Sequence, residues 1–151
     1  MRITRWLAVA GLLLCAAGCG GQAKQEPVEQ PKPSEGVQWL TNFGEATIQA
    51  KQDGKPMMVD VMASWCGPCK RLEEEVWSRG DVGELSKSFV SVKVDGDERK
   101  DLKTKFAVSG YPTTLFLSAE GEEISRVRGA VPYEDMVKAM QGALNKAELA
   151  K

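Results

Sequence analysis

The chain of 151 residues contains no histidine. That removes the most common nitrogen ligand for a metal ion. Cysteine is scarce as well. There are four, and Cys15 and Cys19 both fall near the N-terminus, which leaves only Cys66 and Cys69 for the rest of the chain. A zinc site built on a Cys-x-x-Cys pair needs two further ligands. The sequence does not offer them, so no metal is expected. Neither sign of charge dominates, with 20 Lys and Arg against 21 Asp and Glu. No basic block and no interleaving of aromatic with basic residues suggests nucleic acid as a partner. Long apolar runs are missing too: residues 6–14 form the clearest one, too short for an ordinary membrane-spanning helix. There is no internal repeat.

What the sequence does contain is Trp65-Cys66-Gly67-Pro68-Cys69-Lys70. It follows a nearly continuous apolar stretch, residues 57–63, and precedes a helical pattern. A thiolate, not a thiol, attacks a disulfide, so a redox cysteine needs a lowered pKa. The first turn of a helix offers unpaired N–H groups and the positive end of the helix dipole. Cys66 is placed at that end. Pro68 is tolerated in a first helical turn, where its missing N–H has no partner to lose. Cys69, three residues on, shares a helix face with Cys66. The expectation is a dithiol that opens and closes as a disulfide, with Cys66 the exposed nucleophile and Cys69 the more buried resolving thiol. A purely structural disulfide is the plainer reading, and a metal shared with another molecule a third.

The N-terminus reads as an export signal. Arg2 and Arg5 precede the apolar run, and Ala16-Ala17-Gly18 supplies small residues before Cys19. This resembles the lipobox of bacterial lipoproteins, in which the cysteine is lipidated and becomes the mature N-terminus. An ordinary secretory signal with an incidental Cys19 is the alternative. Residues 1–18 are thus expected to be a signal peptide, and 19–36 a lipid-anchored flexible linker. Residues 22–35, rich in Gln, Glu, Pro and Lys, are too polar to bury a core. Removal of the signal takes Arg2 and Arg5 with it and moves the net charge from −1 to −3. Attachment to the membrane would then come from lipid, not from surface charge.

Residues 37–151 form one domain-sized unit. Residues 42–52 read as an amphipathic helix, with Phe43, Ala46, Thr47 and Ala50 on one side. Residues 57–63 read as a strand covered on both faces. A helix is expected from 69 toward 77, a break at Ser78-Arg79-Gly80-Asp81, and a short helix over 82–89. A strand over 90–94, a helix over 99–106 and a strand over 113–117 follow. Ala119-Glu120-Gly121-Glu122 reads as a hairpin turn into a strand over 123–128. A closing helix spans 132–146, with Met136, Val137, Met140 and Leu144 on its apolar face. Strands interleaved with helices, then a hairpin and a last helix, predict an α/β sandwich around a mixed sheet.

From residue 37 onward the chain resembles the thioredoxin-fold family. The resemblance rests on Val59-Asp60, Trp65-Cys66-Gly67-Pro68-Cys69-Lys70, Val94-Asp95, Gly110-Tyr111-Pro112-Thr113 and Arg128-Gly129-Ala130. Glu74-Glu75-Val76-Trp77-Ser78 is more similar to the C-terminal periplasmic domain of the DsbD group. The resemblance implies an α/β thioredoxin fold, a central mixed β-sheet flanked by helices on both faces. It implies Asp60 as a buried acid that shuttles the proton of the resolving thiol; an acid at a strand end, facing solvent, is the plain alternative. Thioredoxins pair that acid with a lysine. The family register puts Ser91 there, with Lys93 on the same face two residues along. Pro112 matches the family's cis-proline, whose loop pairs with substrate, a trans proline opening a strand being the alternative. Gly110, Tyr111, Gly129 and Trp65 would flank the binding groove; core packing is the plainer role for Trp65. Glu73-Glu74-Glu75 reads as a solvated helix face.

The implied function is thiol–disulfide oxidoreduction, the Cys66–Cys69 dithiol itself carrying the electrons without a prosthetic cofactor. Gly67-Pro68 resembles the dipeptide of reducing thioredoxins, which favours reduction of disulfides in envelope proteins. An oxidase or isomerase, or a binding or chaperone module with a structural disulfide, are the alternatives. The expected partners are disulfide-containing envelope proteins and a membrane electron donor of DsbD type. A monomer is expected, in the cell envelope, anchored by lipid, with its domain in the periplasm or other extracytoplasmic space.

Overall fold

A computed structural model describes residues 35–150. The signal segment, Cys19 and nearly all of the tether lie outside the described residues. Among those residues, no helix is long and apolar enough to cross a membrane.

Asn42 opens the first helix, α1 (Phe43–Asp53), by accepting hydrogen bonds from the N–H groups of Gly44 and Glu45 at 2.9 and 3.2 Å. β1 (Met57–Met62) follows and leads into α2 (Gly67–Leu72). The helix expected over 69–77 changes pitch partway. Glu73–Trp77 is a π-helical turn, in which the Ser78 N–H reaches Glu73 O five residues back at 2.9 Å. A second difference is the start of α3 (Gly80–Ser86), inside the segment read as a break. Asp81 accepts the Val82 N–H at 2.9 Å and pairs with Arg79, which favours helical geometry there. Gly83 is required in α3 because a Cβ would lie 2.0 Å from Glu35 O. The entering chain therefore lies against α3 at Glu35 and Gly36.

β2 (Val90–Asp95), α4 (Lys100–Lys105), β3 (Thr113–Leu117), β4 (Glu123–Arg128) and α5 (Tyr133–Leu149) complete the fold. The sheet order is β2-β1-β3-β4, with β1 and β2 parallel and the other pairs antiparallel. Leu40 adds a parallel bridge to Val92 on the outer edge of β2. This is the predicted mixed sheet. Alternation along the strands divides the core in two. Val59, Val61, Val92, Val94, Leu115 and Leu117 meet α1 and α4 on one face. Met58 and Phe116 meet Leu72, Val76, Trp77, Val82, Met136 and Met140 on the other.

Candidate active site

Cys66 and Cys69 are joined by a disulfide, their Cα atoms 5.3 Å apart. Cys66 is the N-cap of α2, and the Cys69 N–H points at its Sγ at 3.2 Å. The predicted strand-to-helix junction is therefore present. The predicted order of exposure is not: Cys66 is 3% exposed and Cys69 7%. In the disulfide form both sulfurs are tied down, and both cysteines pack with Ala63 against Met62 and Tyr111. The case for Cys66 as nucleophile thus rests on its place at the helix N-terminus, where N–H groups and dipole favour a thiolate.

The Tyr111–Pro112 peptide bond is cis, as the motif predicted. Thr113 Oγ1 donates to Gly110 O at 2.8 Å, and the Gly129 N–H donates to Pro112 O at 2.8 Å. Gly129 has a φ of +79°. Trp65 is 70% exposed, which replaces the core-packing alternative with a surface role. Its ring meets Tyr111 edge-on at 6.0 Å. Asp97 links the two: it accepts from Trp65 Nε1 at 2.8 Å and from the Tyr111 hydroxyl at 2.9 Å. Those two bonds lower its pKa. The Tyr111 ring lies over Gly96, where a Cβ would stand 2.5 Å from the hydroxyl oxygen. Sequence reasoning missed Asp97. Its only signal was a polar residue two positions after Val94-Asp95.

Asp60 is 3% exposed, inside the sheet and not at a solvent-facing strand end. Burial raises its pKa to about 7; Lys93 pulls it down, Glu73 pushes it up, and a donor from Trp77 lowers it. The strand register corrects the expected lysine position. Lys93 stands opposite Asp60, and Ser91 opposite Met58. Lys93 is shared, since its ammonium bonds to the Glu73 carboxylate. Glu73 thereby separates from Glu74 and Glu75, which are exposed. The reading of all three as a solvated face holds for two. Asp60, Ala63, Cys69, Lys70, Glu73 and Lys93 line one cleft of about 170 Å³. The acid and the second thiol therefore line the same cleft, which is large enough to admit water. Among the described residues, no cluster of acidic or thiol groups could hold a metal ion.

Residues 43–144 match the thioredoxin-like domain family. The chain is 32% identical over 127 residues to thioredoxin H2 of Arabidopsis thaliana, covering 81% of this chain and 90% of that protein. It is 27% identical over 145 residues to the thiol:disulfide interchange protein DsbD of Ralstonia nicotianae, covering 93% of this chain but only 23% of that protein. The solution structure of a thioredoxin from Thermus thermophilus superimposes with a TM-score of 0.67 at 28% identity, covering 74% of this chain and 90% of that one.

Proposed function

The chain belongs to the thioredoxin-like family, and we propose that it reduces disulfides of envelope proteins. It is a thiol–disulfide oxidoreductase whose working pair is Cys66 and Cys69. The observation that carries the mechanism is that Cys66 caps a helix N-terminus while Cys69 shares a cleft with buried Asp60. In the reduced protein the Cys66 thiolate attacks a substrate disulfide. One sulfur of the substrate leaves as a thiolate, and the other stays bonded to Cys66. Cys69 then passes its proton to ionised Asp60 and attacks Cys66 Sγ. The second substrate sulfur leaves, and the Cys66–Cys69 disulfide forms. Two electrons have moved to the substrate, and the proton on Asp60 returns to solvent. An acid titrating near pH 7 suits this task, because it both accepts and releases a proton at neutral pH.

Trp65, Gly110, Tyr111, Pro112 and Gly129 form the substrate-binding rim of the proposed site. Tyr111 packs against the dithiol, exposed Trp65 adjoins Cys66, and the Gly129–Pro112 and Thr113–Gly110 hydrogen bonds tie the remaining positions to the Tyr111 loop, which supports that role. The reducing direction is supported by Gly67-Pro68 between the cysteines. Its envelope location is supported by the signal-like N-terminus ending at Cys19, proposed as the lipidation site, and by the DsbD relatives. A reductant outside the cytosol must be recharged, and a membrane donor of DsbD type is proposed for that step. The test is insulin reduction with dithiothreitol as donor, expected to be lost in Cys66→Ser; full activity in that variant sinks the assignment. A measured potential near −120 mV, the DsbA end of the scale, favours an oxidase over a reductant near about −270 mV. Cys69→Ala, which leaves mixed disulfides unresolved, is expected to trap the donor and the substrates.

A further inference from the structure

Both cysteines of the disulfide are covered, Cys66 being 3% exposed and Cys69 7%. A donor thiolate must still reach one sulfur to reopen the bond. The apolar groups packed around the pair are Met62, Ala63 and Tyr111. Met62 and Ala63 are held by their backbone at and just after the end of β1. Met62 O accepts the Gly96 N–H at 2.9 Å, and Ala63 O accepts the Cys66 N–H at 3.1 Å. Tyr111 differs. It lies in the loop before β3 and is only half-buried, so rotation of its side chain uncovers the pair without breaking the sheet.

That ring is held from several sides. Its hydroxyl donates to Asp97 Oδ1 at 2.9 Å, while Asp97 Oδ2 accepts from Trp65 Nε1 at 2.8 Å, so each carboxylate oxygen serves one donor. Hydrogen bonds to an ionised acceptor are stronger than neutral ones. Asp97 is fixed in turn, its N–H donating at 2.9 Å to Oδ1 of Asp95, the last residue of β2. The Lys103 ammonium stands 4.7 Å from the ring centroid. Trp65 meets the ring edge-on. Gly96 lies beneath it. A Cβ there would stand 2.5, 2.6 and 2.8 Å from the hydroxyl oxygen, Cε1 and Cζ of Tyr111, and these are its nearest atoms. The φ of Gly96 is not positive, so the ring and not the backbone requires glycine at this position.

We propose that Gly96 and Asp97 are positioning residues: they hold the Tyr111 ring against the Cys66–Cys69 disulfide, so that release of the ring sets which donors recharge the protein. This rests on the reading of the pair as a cycling dithiol. In the recharging step one thiolate of a dithiol donor bonds to a sulfur of the pair, and the other sulfur of the pair leaves as a thiolate. The donor's second thiol then closes the donor disulfide, and two electrons have entered the protein. The first attack needs an uncovered sulfur. Trp65 is 70% exposed and shares Asp97 with Tyr111. A protein donor that docks on Trp65 therefore acts on the group that holds the ring, whereas a small thiol has no such hold. The arrangement favours a protein donor over small thiols.

The test is the rate at which an uncharged phosphine, tris(hydroxypropyl)phosphine, reduces the oxidised protein, with the new thiols counted by alkylation and mass. The phosphine takes oxygen from water and becomes its oxide, and both cysteines become thiols. Tyr111→Phe keeps the ring and loses its bond to Asp97, and the rate is expected to rise about tenfold. Gly96→Ala drives the ring off its seat without altering charge, and a rise of about tenfold or more is expected. Asp97→Asn is expected to raise the rate as well. Its effect and that of Tyr111→Phe run through one bond, so the double variant should be no faster than the faster single one. Leu115→Ala, destabilised away from the dithiol, should keep the wild-type rate. Rates in Tyr111→Phe and Gly96→Ala no higher than wild type overturn the proposal, as does an equal rise in Leu115→Ala. Additive effects of Asp97→Asn and Tyr111→Phe remove Asp97 from it. If Gly96→Ala does not fold, Tyr111→Phe and Asp97→Asn decide. These rates need no turnover, so they stand apart from the insulin assay that tests the oxidoreductase function.

Discussion

The two faces of the sheet are built from the same strands and do different work. On the face toward α1 and α4, β1 and β2 present Met57, Val59, Val61, Val90, Val92 and Val94 without a polar interruption. On the other face the same strands present Met58, Asp60, Ser91 and Lys93, so polar groups interrupt the core from Ser91 onward. A sheet buried on both sides needs apolar cover on both. Replacing half of that cover on one side by a buried acid and a partly buried lysine gives up stability there. What is gained is a buried acid in the same cleft as Cys69, the proton carrier proposed above. The apolar face holds the fold and the polar face tunes the chemistry. Mutations that respect this division should separate stability from activity.

The largest expected effect breaks the apolar face. Leu115 is completely buried there, between β1 and β4. Leu115→Ala removes its packing and leaves a cavity, with an expected loss of about 2–5 kcal/mol. The loss should be equal at pH 4 and pH 8 in denaturant titrations, since no titrating group lies on that face of β3. The folded fraction should keep wild-type insulin reduction. A loss that varies with pH would show that the two faces are coupled.

The polar face should give the opposite result in Asp60→Asn. The folded-state pKa of Asp60, about 7, lies above its ordinary 3.8. The folded protein therefore holds a proton that the unfolded chain releases. Asp60 contributes its full stability below pH 4, and that contribution is lost as the pH rises to 7. A gap of about three units, at about 1.36 kcal/mol each, amounts to roughly 4 kcal/mol. Asparagine does not titrate. The stability of Asp60→Asn relative to wild type should therefore rise by roughly 3–4 kcal/mol between pH 4 and pH 8 and then level off. Comparing two pH values cancels the fixed difference between burying an amide and burying a protonated acid. Resolution of mixed disulfides by Cys69 should slow in the same variant. A stability difference that does not change with pH would remove Asp60 as the buried titrating group.

This division was only partly legible in the sequence. The apolar runs and the turn at Ala119-Glu120-Gly121-Glu122 show the strands, because burial on both faces and hairpin chemistry are local signals. The dithiol, Asp60 and Pro112 are visible because their types are rare in such places. The partners of Asp60 are less visible. Lys93 lies opposite it only through the parallel register of β1 and β2, which involves residues 33 positions apart, and Ser91 had the better family alignment. Glu73 is chemically identical to Glu74 and Glu75; only the pitch of the helix turns it toward Lys93. Asp97 joins Trp65 to Tyr111 across 32 and 14 residues. Each of these is a long-range pairing. The exposure of the cysteines follows from packing, since both lie with Ala63 against Met62 and Tyr111, another contact between residues distant in sequence.

The smallest expected effect returns to the apolar side, where α4 ends. Ala107 has a φ of +49°, in the left-handed region, just before buried Val108. Its N–H bonds to Thr104 O at 3.1 Å, and the Val108 N–H to Lys103 O at 2.9 Å, so the turn closes the helix tightly. An L-residue in that conformation costs about 1–2 kcal/mol through its Cβ. Glycine avoids this but loses more chain entropy on folding, which offsets about 0.5–1 kcal/mol. Ala107 is exposed, so removing its methyl group gives up no packing. Ala107→Gly should therefore stabilise the protein by about 0.5–1 kcal/mol, read as a shift in denaturant midpoint with an unchanged slope. The gain should be the same at pH 4 and pH 8, and insulin reduction should be unaltered. A change in activity would mean that this turn, which leads into the Gly110-Tyr111-Pro112 loop, positions the substrate rim as well as closing the helix.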